Sequence, residues 1–395
     1  MSSVFIRGIY MITSKYTIRN DNKSLILKTI IENEPISRSE LSTMTGLNKA
    51  SVSSIIKDLL EQELVNEIGI GDASNIGGRK PILLSFNKRS SLIISLDISF
   101  NYLKGVISYI NGEIIHHYND INTTINSHNI ITKIMIAISE LERHILKTPH
   151  GIIGVCIGVH GIVFNNKIIF TPYYDIDKVN IFSELSKICP YPIFIENEAN
   201  LAALGEYTFS SKYDNLIGIS IHSGIGAGII KKGEIQYGNM GKTGEIGHSI
   251  LYPNGIVCPC GNRGCLEQYA SDTVVYKEFA NMKRIKTYSP KIIREYYETD
   301  DEDTIKFINE ISLYLSIGIN NIITMNDPEI VVVNSELLHE IPNIINLIDE
   351  KIKSQFSIGT KIMLSSLQGN STLLGGISLV AQNFLNITDL KIIYI

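Results

Sequence analysis

Three cysteines and one histidine restrict this chain more than any other feature in it. His248, Cys258, Cys260 and Cys265 fall in the stretch GEIGHSILYPNGIVCPCGNRGCLEQYAS, residues 244–271, with the thiols spaced C-x-C-x4-C. Three thiolates and an imidazole form a closed four-ligand set suited to tetrahedral Zn²⁺, and a set with no open position is structural rather than catalytic. Gly255, Gly261 and Gly264 lie among the ligands, where the backbone must turn sharply to aim several side chains at one point. Unrelated loop cysteines are the plain alternative. Against it, three of the chain's five cysteines are packed into eight residues beside a histidine. Glu245 and Glu267 flank the knot, so a bound metal would pin two carboxylates and build one wall of a binding site.

The chain has 395 residues, enough for two or three domains, and 44% hydrophobic content, enough for packed cores. A net charge of −5 gives no global basic field to advertise nucleic acid. Clustered cysteines fit a reducing cytosol better than a disulfide framework, so a cytoplasmic location is expected. The apolar run Val4–Ile12, broken by Arg7 and Gly8, is too short for a secretion signal. No run approaches the roughly 20 apolar residues of a membrane span, and no membrane partner is expected.

Residues 19–88 read as a winged helix-turn-helix. A first helix over 20–34 places Leu25, Ile26, Ile30 and Ile31 on one face. Pro35 ends it, and Ser37 with Glu40 forms a capping box for a short second helix over 38–44, closed by Gly46. A third helix over 48–63 buries Val52, Ile55, Ile56, Leu59 and Leu60. Short strands at Leu64-Val65 and Ile82–Leu84 then flank a wing containing GGRKP. Asn48, Lys49, Ser51, Ser53, Ser54 and Lys57 face the major groove in that arrangement, with Arg38 nearby. Arg79 and Lys80 on the wing are candidate phosphate or minor-groove contacts. Nine Lys and Arg balance nine Asp and Glu over 19–88, but the acids collect away from this face. A protein-interaction module of the same shape is the alternative; double-stranded operator DNA is the expected partner.

From residue 89 strands alternate with amphipathic helices, the pattern of an α/β fold. Strands are expected at LIISLDI, YLKGVISYI, 112–117, 151–159, 215–220, 226–231 and 329–333, with helices over 126–147 and 304–325. Cys156 and Cys189 sit on or beside apolar segments and read as small buried hydrophobes.

GEIGH followed by C-x-C-G-x-x-G-C-L-E resembles the signature of the ROK family, which comprises repressors, open reading frames and sugar kinases. The likeness runs from about residue 90 onward, and the head with its GGRKP wing resembles those of ROK repressors. It implies a two-lobed actin-like sugar-kinase body over 89–395 carrying the zinc motif. It also implies a monosaccharide held by Gly161, Asn197, Glu198, Glu245, His248 and Glu267. Carboxylates and an amide suit sugar hydroxyls chemically. The plain alternative for Asn197–Asn200 is the start of a helix.

The nucleotide elements depart from the kinase pattern. The first phosphate loop, Asp-x-Gly-x-Thr in the kinases, is Asp97-Ile98-Ser99-Phe100-Asn101 here; the catalytic Asp is Glu198; a glycine pair is Asn334-Ser335. The second phosphate loop survives in part as His222–Gly228. One extra methylene shifts a carboxylate by about 1 Å, enough to cost about 100-fold in rate. The resemblance is nearest to xylose repressors of low-GC Gram-positive bacteria. It implies a non-enzymatic repressor, acting as a homodimer or dimer of dimers and released from DNA by a monosaccharide inducer, xylose first among them. The rival is an ATP-dependent sugar kinase of glucokinase or N-acetylmannosamine kinase type with an added DNA-binding head.

Overall fold

The computed structural model describes residues 21–70, 80–121 and 123–392. The head runs through α1 (Asp21–Asn33), β1 (Ile36–Ser37), α2 (Arg38–Thr45), α3 (Lys49–Glu61), β2 (Val65–Ile70) and β3 (Ile82–Phe86). The capping box is present: the Glu40 amide donates to Ser37 Oγ, and the Ser37 amide donates to Glu40 Oε2. Removing such a cap costs about 1 kcal/mol. Gly46 closes α2 at φ +71°, a left-handed turn that a side chain resists. Leu41, Val52, Ile56 and Leu59 pack with Ile26, Leu27 and Ile30 in one core. Leu41→Ala there would cost about 2–5 kcal/mol. The wing strands pair antiparallel, and β1 adds a third strand, in the order β1-β3-β2.

The first lobe contains β4 (Leu92–Ser99), β5 (Tyr102–Tyr109), β6 (Ile114–Ile121), α4 (Ile130–Glu142), β7 (Ile152–Val159), β8 (Ile162–Phe164), β9 (Lys167–Phe170), α5 (Ile181–Ile188) and β10 (Ile193–Asn197). From there α6 (Glu198–Phe209) leads into the second lobe. That lobe contains β11 (Asn215–Ile221), β12 (Ile225–Lys231), β13 (Glu234–Ile235), α7 (Glu267–Ala270), α8 (Asp272–Lys283), α9 (Pro290–Glu298) and α10 (Glu302–Asn326). It continues through β14 (Ile330–Ser335), α11 (Glu336–Glu340), α12 (Asn343–Lys351), β15 (Lys361–Leu364) and α13 (Ser371–Leu385).

The two large sheets repeat one topology. Their orders are β6-β5-β4-β7-β10 and β13-β12-β11-β14-β15, each an antiparallel trio extended by two parallel strands. Both therefore turn a hairpin at the C-terminal end of their first strand, after Ser99 and after Ile221. Those ends carry chemistry in open α/β sheets. β4, β7 and β14 are buried along their whole length, which is why they read as unbroken apolar runs. Cys156 and Cys189 are buried as expected.

Two expectations are corrected. The helix expected over 126–147 is Ile130–Glu142, because Asn126 and Asn129 spend their side chains on local backbone groups and form a turn. On α1 the buried stripe is rotated: Leu25 is 42% exposed and Ile31 half-buried, while Leu27 is fully buried. The helix is covered from outside the head as well as from within it. It packs on α2 and α3, and it also meets the end of α13, where Ser24 Oγ donates to the Leu385 carbonyl.

Candidate functional site

The loop between β13 and α7 gathers the four expected metal ligands. One donor atom from each of His248, Cys258, Cys260 and Cys265 lies within 4.8 Å of all the others. Cys260 Sγ and Cys265 Sγ are 3.7 Å apart, and Cys258 Sγ is 3.5 Å from His248 Nδ1. Tetrahedral zinc, with Zn–S of about 2.3 Å and Zn–N of about 2.0 Å, requires edges of about 3.7 and 3.5 Å. The donor set fits that ion. Gly264, at φ +80°, permits the knot, since a Cβ there would strike the Tyr252 carbonyl. With Nδ1 turned to the thiols, His248 Nε2 faces Glu245 Oε2 at 3.8 Å. Burial pushes the Glu245 carboxyl up, and the Glu267 charge adds to this against the opposing pull of His248.

Glu267 opens α7 and is 4% exposed. Its Oε1 accepts from Cys258 Sγ and Gln268 Nε2 and stands 3.6 Å from His248 Nδ1. Its Oε2 lies where a Cβ on Gly224 would come within 2.9 Å. Burial and the neighbouring Glu267 charge push the Tyr173 phenol up. Asn197 is the N-cap of α6: its Oδ1 accepts from the Asn200 amide, and its Nδ2 donates to the Gly161 carbonyl at 2.7 Å. Gly161 is held against Phe170, whose carbonyl would lie 2.4 Å from a Cβ at that position. Glu198 is 5% exposed; its Oε1 accepts from Ser220 Oγ at 2.7 Å and Thr372 Oγ1 at 2.9 Å. The helix-start reading is therefore what is seen here: Asn197 caps α6 and Glu198 is its first residue.

The altered nucleotide elements meet in a cleft of about 320 Å³ between the lobes, lined by residues that include Asp97, Tyr102, His160, His222, Asp272 and Glu336. Ser99–Asn101, Ser223 and Asn334 also border it, and the six expected sugar contacts lie outside its lining. Tyr102 Oη donates to Asp97 Oδ2 at 3.0 Å and lies 2.9 Å from His160 Nε2. His160 Nδ1 and His222 Nε2 approach Glu198 at 3.9 and 3.8 Å. Burial works against the charged imidazole of His160, but Glu198 and Asp97 outweigh it and raise its pKa above 6.5. Burial pushes the Asp272 carboxyl up to about 7, against the hydrogen bond from Ser335. Asp97 and Glu336, with Asp272 partly ionised at neutral pH, set negative charge against a polyphosphate, and Lys104 and His160 in the same lining offset part of it. The glycines of the second phosphate loop serve packing: a Cβ on Gly228 would lie 2.4 Å from the Ala199 carbonyl, and one on Gly226 would press on the Ala199 methyl.

His160, Tyr102, Ser220 and Thr372 escaped the sequence reading. His160 offered one signal, an imidazole at the end of an apolar strand directly before Gly161. The others are brought in only by the tertiary arrangement.

In the head, Lys49, Ser53, Ser54 and Lys57 are exposed along α3, and Ser51 is half-buried. Asn48 caps α3, its Oδ1 accepting from the Ser51 amide at 2.9 Å. Arg38 is paired with Glu67 of β2 at 2.8 Å, and Lys57 with Glu61 at 3.8 Å. Lys80 is exposed, and Arg79 lies outside the described residues.

A ROK family profile matches residues 93–383, and a winged helix-turn-helix DNA-binding profile matches residues 19–66. The chain belongs to the ROK family. Its ROK body carries the pattern expected from the zinc knot, and the same chain bears the winged head. The xylose repressor of Bacillus spizizenii is 34% identical over 383 residues, covering 94% of this chain and 98% of that protein. Among solved structures, a ROK family transcriptional regulator described as a homologue of the Escherichia coli MLC protein superimposes with a TM-score of 0.79 at 24% identity. It covers 93% of this chain and 97% of its own. A ROK glucokinase from Streptomyces griseus, in complex with glucose and AMPPNP, superimposes at 0.66 and 23% identity, covering 73% and 98%. Both likenesses establish the two-lobed kinase-like fold. No helix among the described residues is long and apolar enough to cross a membrane.

Proposed function

We propose that this protein is a sugar-responsive transcriptional repressor, with a body that has kept a sugar site and given up phosphoryl transfer. The observation that carries this reading is the similarity to a xylose repressor over the whole length, head and body together. Operator DNA is read by the exposed start of α3, with Asn48, Lys49, Ser51, Ser53, Ser54 and Lys57 toward the groove, Arg38 nearby, and Arg79 and Lys80 as candidate phosphate contacts. A monosaccharide, xylose first, is held by Asn197, Glu198, Glu245, His248 and Glu267 beside Gly161. Structural Zn²⁺ on His248, Cys258, Cys260 and Cys265 fixes the imidazole and the two flanking carboxylates, leaving His248 Nε2 and Glu245 free to meet sugar hydroxyls. The protein works in the cytoplasm as a homodimer or dimer of dimers, which sets two recognition helices about one turn of DNA apart.

The non-enzymatic reading rests on the cleft where nucleotide would sit. Its lining carries Asp97, Asp272 and Glu336, and Glu198 Oε1 already accepts from two hydroxyls. Held by those hydroxyls, the carboxylate stands away from the place of the kinases' shorter aspartate, and a displacement of about 1 Å costs a base about 100-fold in rate. Sugar that favours a cleft closure fitting operator worse releases DNA by the same coupling factor.

A thermal-shift panel of xylose, glucose, N-acetylglucosamine and N-acetylmannosamine, each with and without ATP, tests this. A ligand at 100 times its Kd adds about 2.7 kcal/mol to stability. One sugar shifting the melt without help from ATP, and releasing operator in a mobility assay, is the expected result. ATP-dependent phosphorylation above about 1 s⁻¹ would make the kinase reading correct instead.

A further inference from the structure

The two oxygens of Glu198 face different parts of the molecule. Oε2 lies 3.9 Å from Nδ1 of His160, the residue directly before the expected sugar contact Gly161. Oε1 is held by Ser220 of β11 and by Thr372, the second residue of α13. The methylene that separates glutamate from aspartate is what carries the carboxylate as far as these hydroxyls.

From that point α6 and α13 cross with their backbones in contact. A Cβ on Gly375 would lie 1.8 Å from the Leu201 carbonyl, and one on Gly205 would lie 2.3 Å from the Ser371 carbonyl. Thr208 Oγ1 and Ser378 Oγ close the same seam at 2.6 Å, fully buried. At Gly205 and Gly375 backbone meets backbone, and a close-packed interior transmits a displacement. With 15 residues α13 spans about 22 Å. Its far end is continuous with the core of the head. Phe384, Leu385 and Ile387 share one apolar cluster with Ile26, Leu27 and Ile30 of α1. Asn386 Nδ2 donates to Ser24 Oγ at 3.2 Å, and Lys28 is paired with Asp389.

We propose that Thr372 is a positioning residue that couples the ligand cleft to the DNA-binding head, with α13 as the rod between them. This rests on the sugar-responsive reading above. A sugar hydroxyl that engages Oε2 turns the carboxylate, and the buried Thr372 hydroxyl must follow its acceptor or lose it. An unpaired buried hydroxyl is unfavourable, so the start of α13 follows the carboxylate. Its other end then re-aims α1 and, through the shared core, α2 and α3.

The test compares operator Kd without sugar and at saturating xylose for the full-length protein, Thr372→Val, Thr372→Ser and Lys28→Ala. The unmodified protein is expected to weaken on DNA by on the order of 10-fold or more when xylose is added. Thr372→Val, which exchanges the hydroxyl for a methyl group, keeps its sugar-free operator affinity but loses most of that ratio. Thr372→Ser restores the ratio, and Lys28→Ala, remote from the cleft, lowers it again. An undiminished ratio in Thr372→Val overturns the coupling and leaves the repressor reading intact. Should that variant fail to fold, a full ratio in Lys28→Ala overturns the rod. An unmodified protein whose DNA affinity no sugar in the panel alters overturns the proposed function and the coupling with it.

Discussion

Glu198 and Thr372, 174 residues apart in sequence, are joined by a 2.9 Å hydrogen bond that ties the start of α6 to the start of α13. The resemblance to sugar kinases identifies Glu198 as an altered catalytic aspartate. The geometry gives that alteration a structural use, since the longer side chain reaches two buried hydroxyls.

Shortening Glu198 should therefore hurt stability without restoring chemistry. Glu198→Asp draws the carboxylate back from Ser220 and Thr372 and is expected to cost about 2 kcal/mol in urea unfolding. It should show no ATP-dependent sugar phosphorylation in a coupled assay. Unchanged stability together with turnover would mean that the nucleotide cleft still works.

Metal content should follow the ligand set. One zinc per chain is expected by atomic absorption, with Cys260→Ser losing it and melting lower. Because a zinc held by this set would orient His248 between Glu245 and Glu267, chelation is expected to weaken sugar binding by about 10-fold or more. Metal-free protein with unaltered sugar affinity would refute this role.

The cap and base-reading roles of Asn48 can be separated. Asn48→Asp keeps an oxygen for the Ser51 amide, so the melting temperature should hold, whereas the lost amide donor and the added negative charge weaken operator binding. Asn48→Ala should also lose about 1 kcal/mol of stability. Lys49→Ala is expected to lower affinity on all sequences and reduce the salt slope by about 1. Equal operator affinity for Asn48→Asp and the unmodified head would remove Asn48 from the reading face.

His160 gives a pH dependence of definite sign. Burial lowers its pKa, but Glu198 and Asp97 raise it more, so that the folded value lies above 6.5. Tyr102, Lys104 and His222 complete its surroundings. The protonated imidazole thus contributes stability that is fully present below about pH 6.5 and lost as pH rises through the folded pKa. The melting temperature of the unmodified protein minus that of His160→Asn should shrink between pH 6 and 9. A difference that grows over this range would contradict the assignment.

Much of this molecule was legible in short stretches of sequence, because the forces concerned act over a few residues. The C-x-C-x4-C knot with His248 brings its donors together through tight turns within 18 residues. The Ser37–Glu40 box and the Gly46 turn define the head in the same local way. Apolar runs such as Leu92–Ser99 announced buried strands, since a strand covered on both faces has no polar alternation to show. Asn126 and Asn129 were local too, but their side chains compete with the helix and outweighed its apolar spacing.

What the sequence could not decide depends on partners far along the chain. The buried stripe of α1 turned toward Leu27 because α13, more than 330 residues later, supplies a second packing surface. Ser220 and Thr372 carry no signature of their own; they matter because two sheets of the same topology and two crossing helices bring them to one carboxylate. Spacing within a motif determines which atoms can share an ion. Only the packing of distant elements determines which hydroxyl lies within hydrogen-bonding distance of which acid, because that distance is set by backbones touching at Gly205 and Gly375 rather than by any local preference.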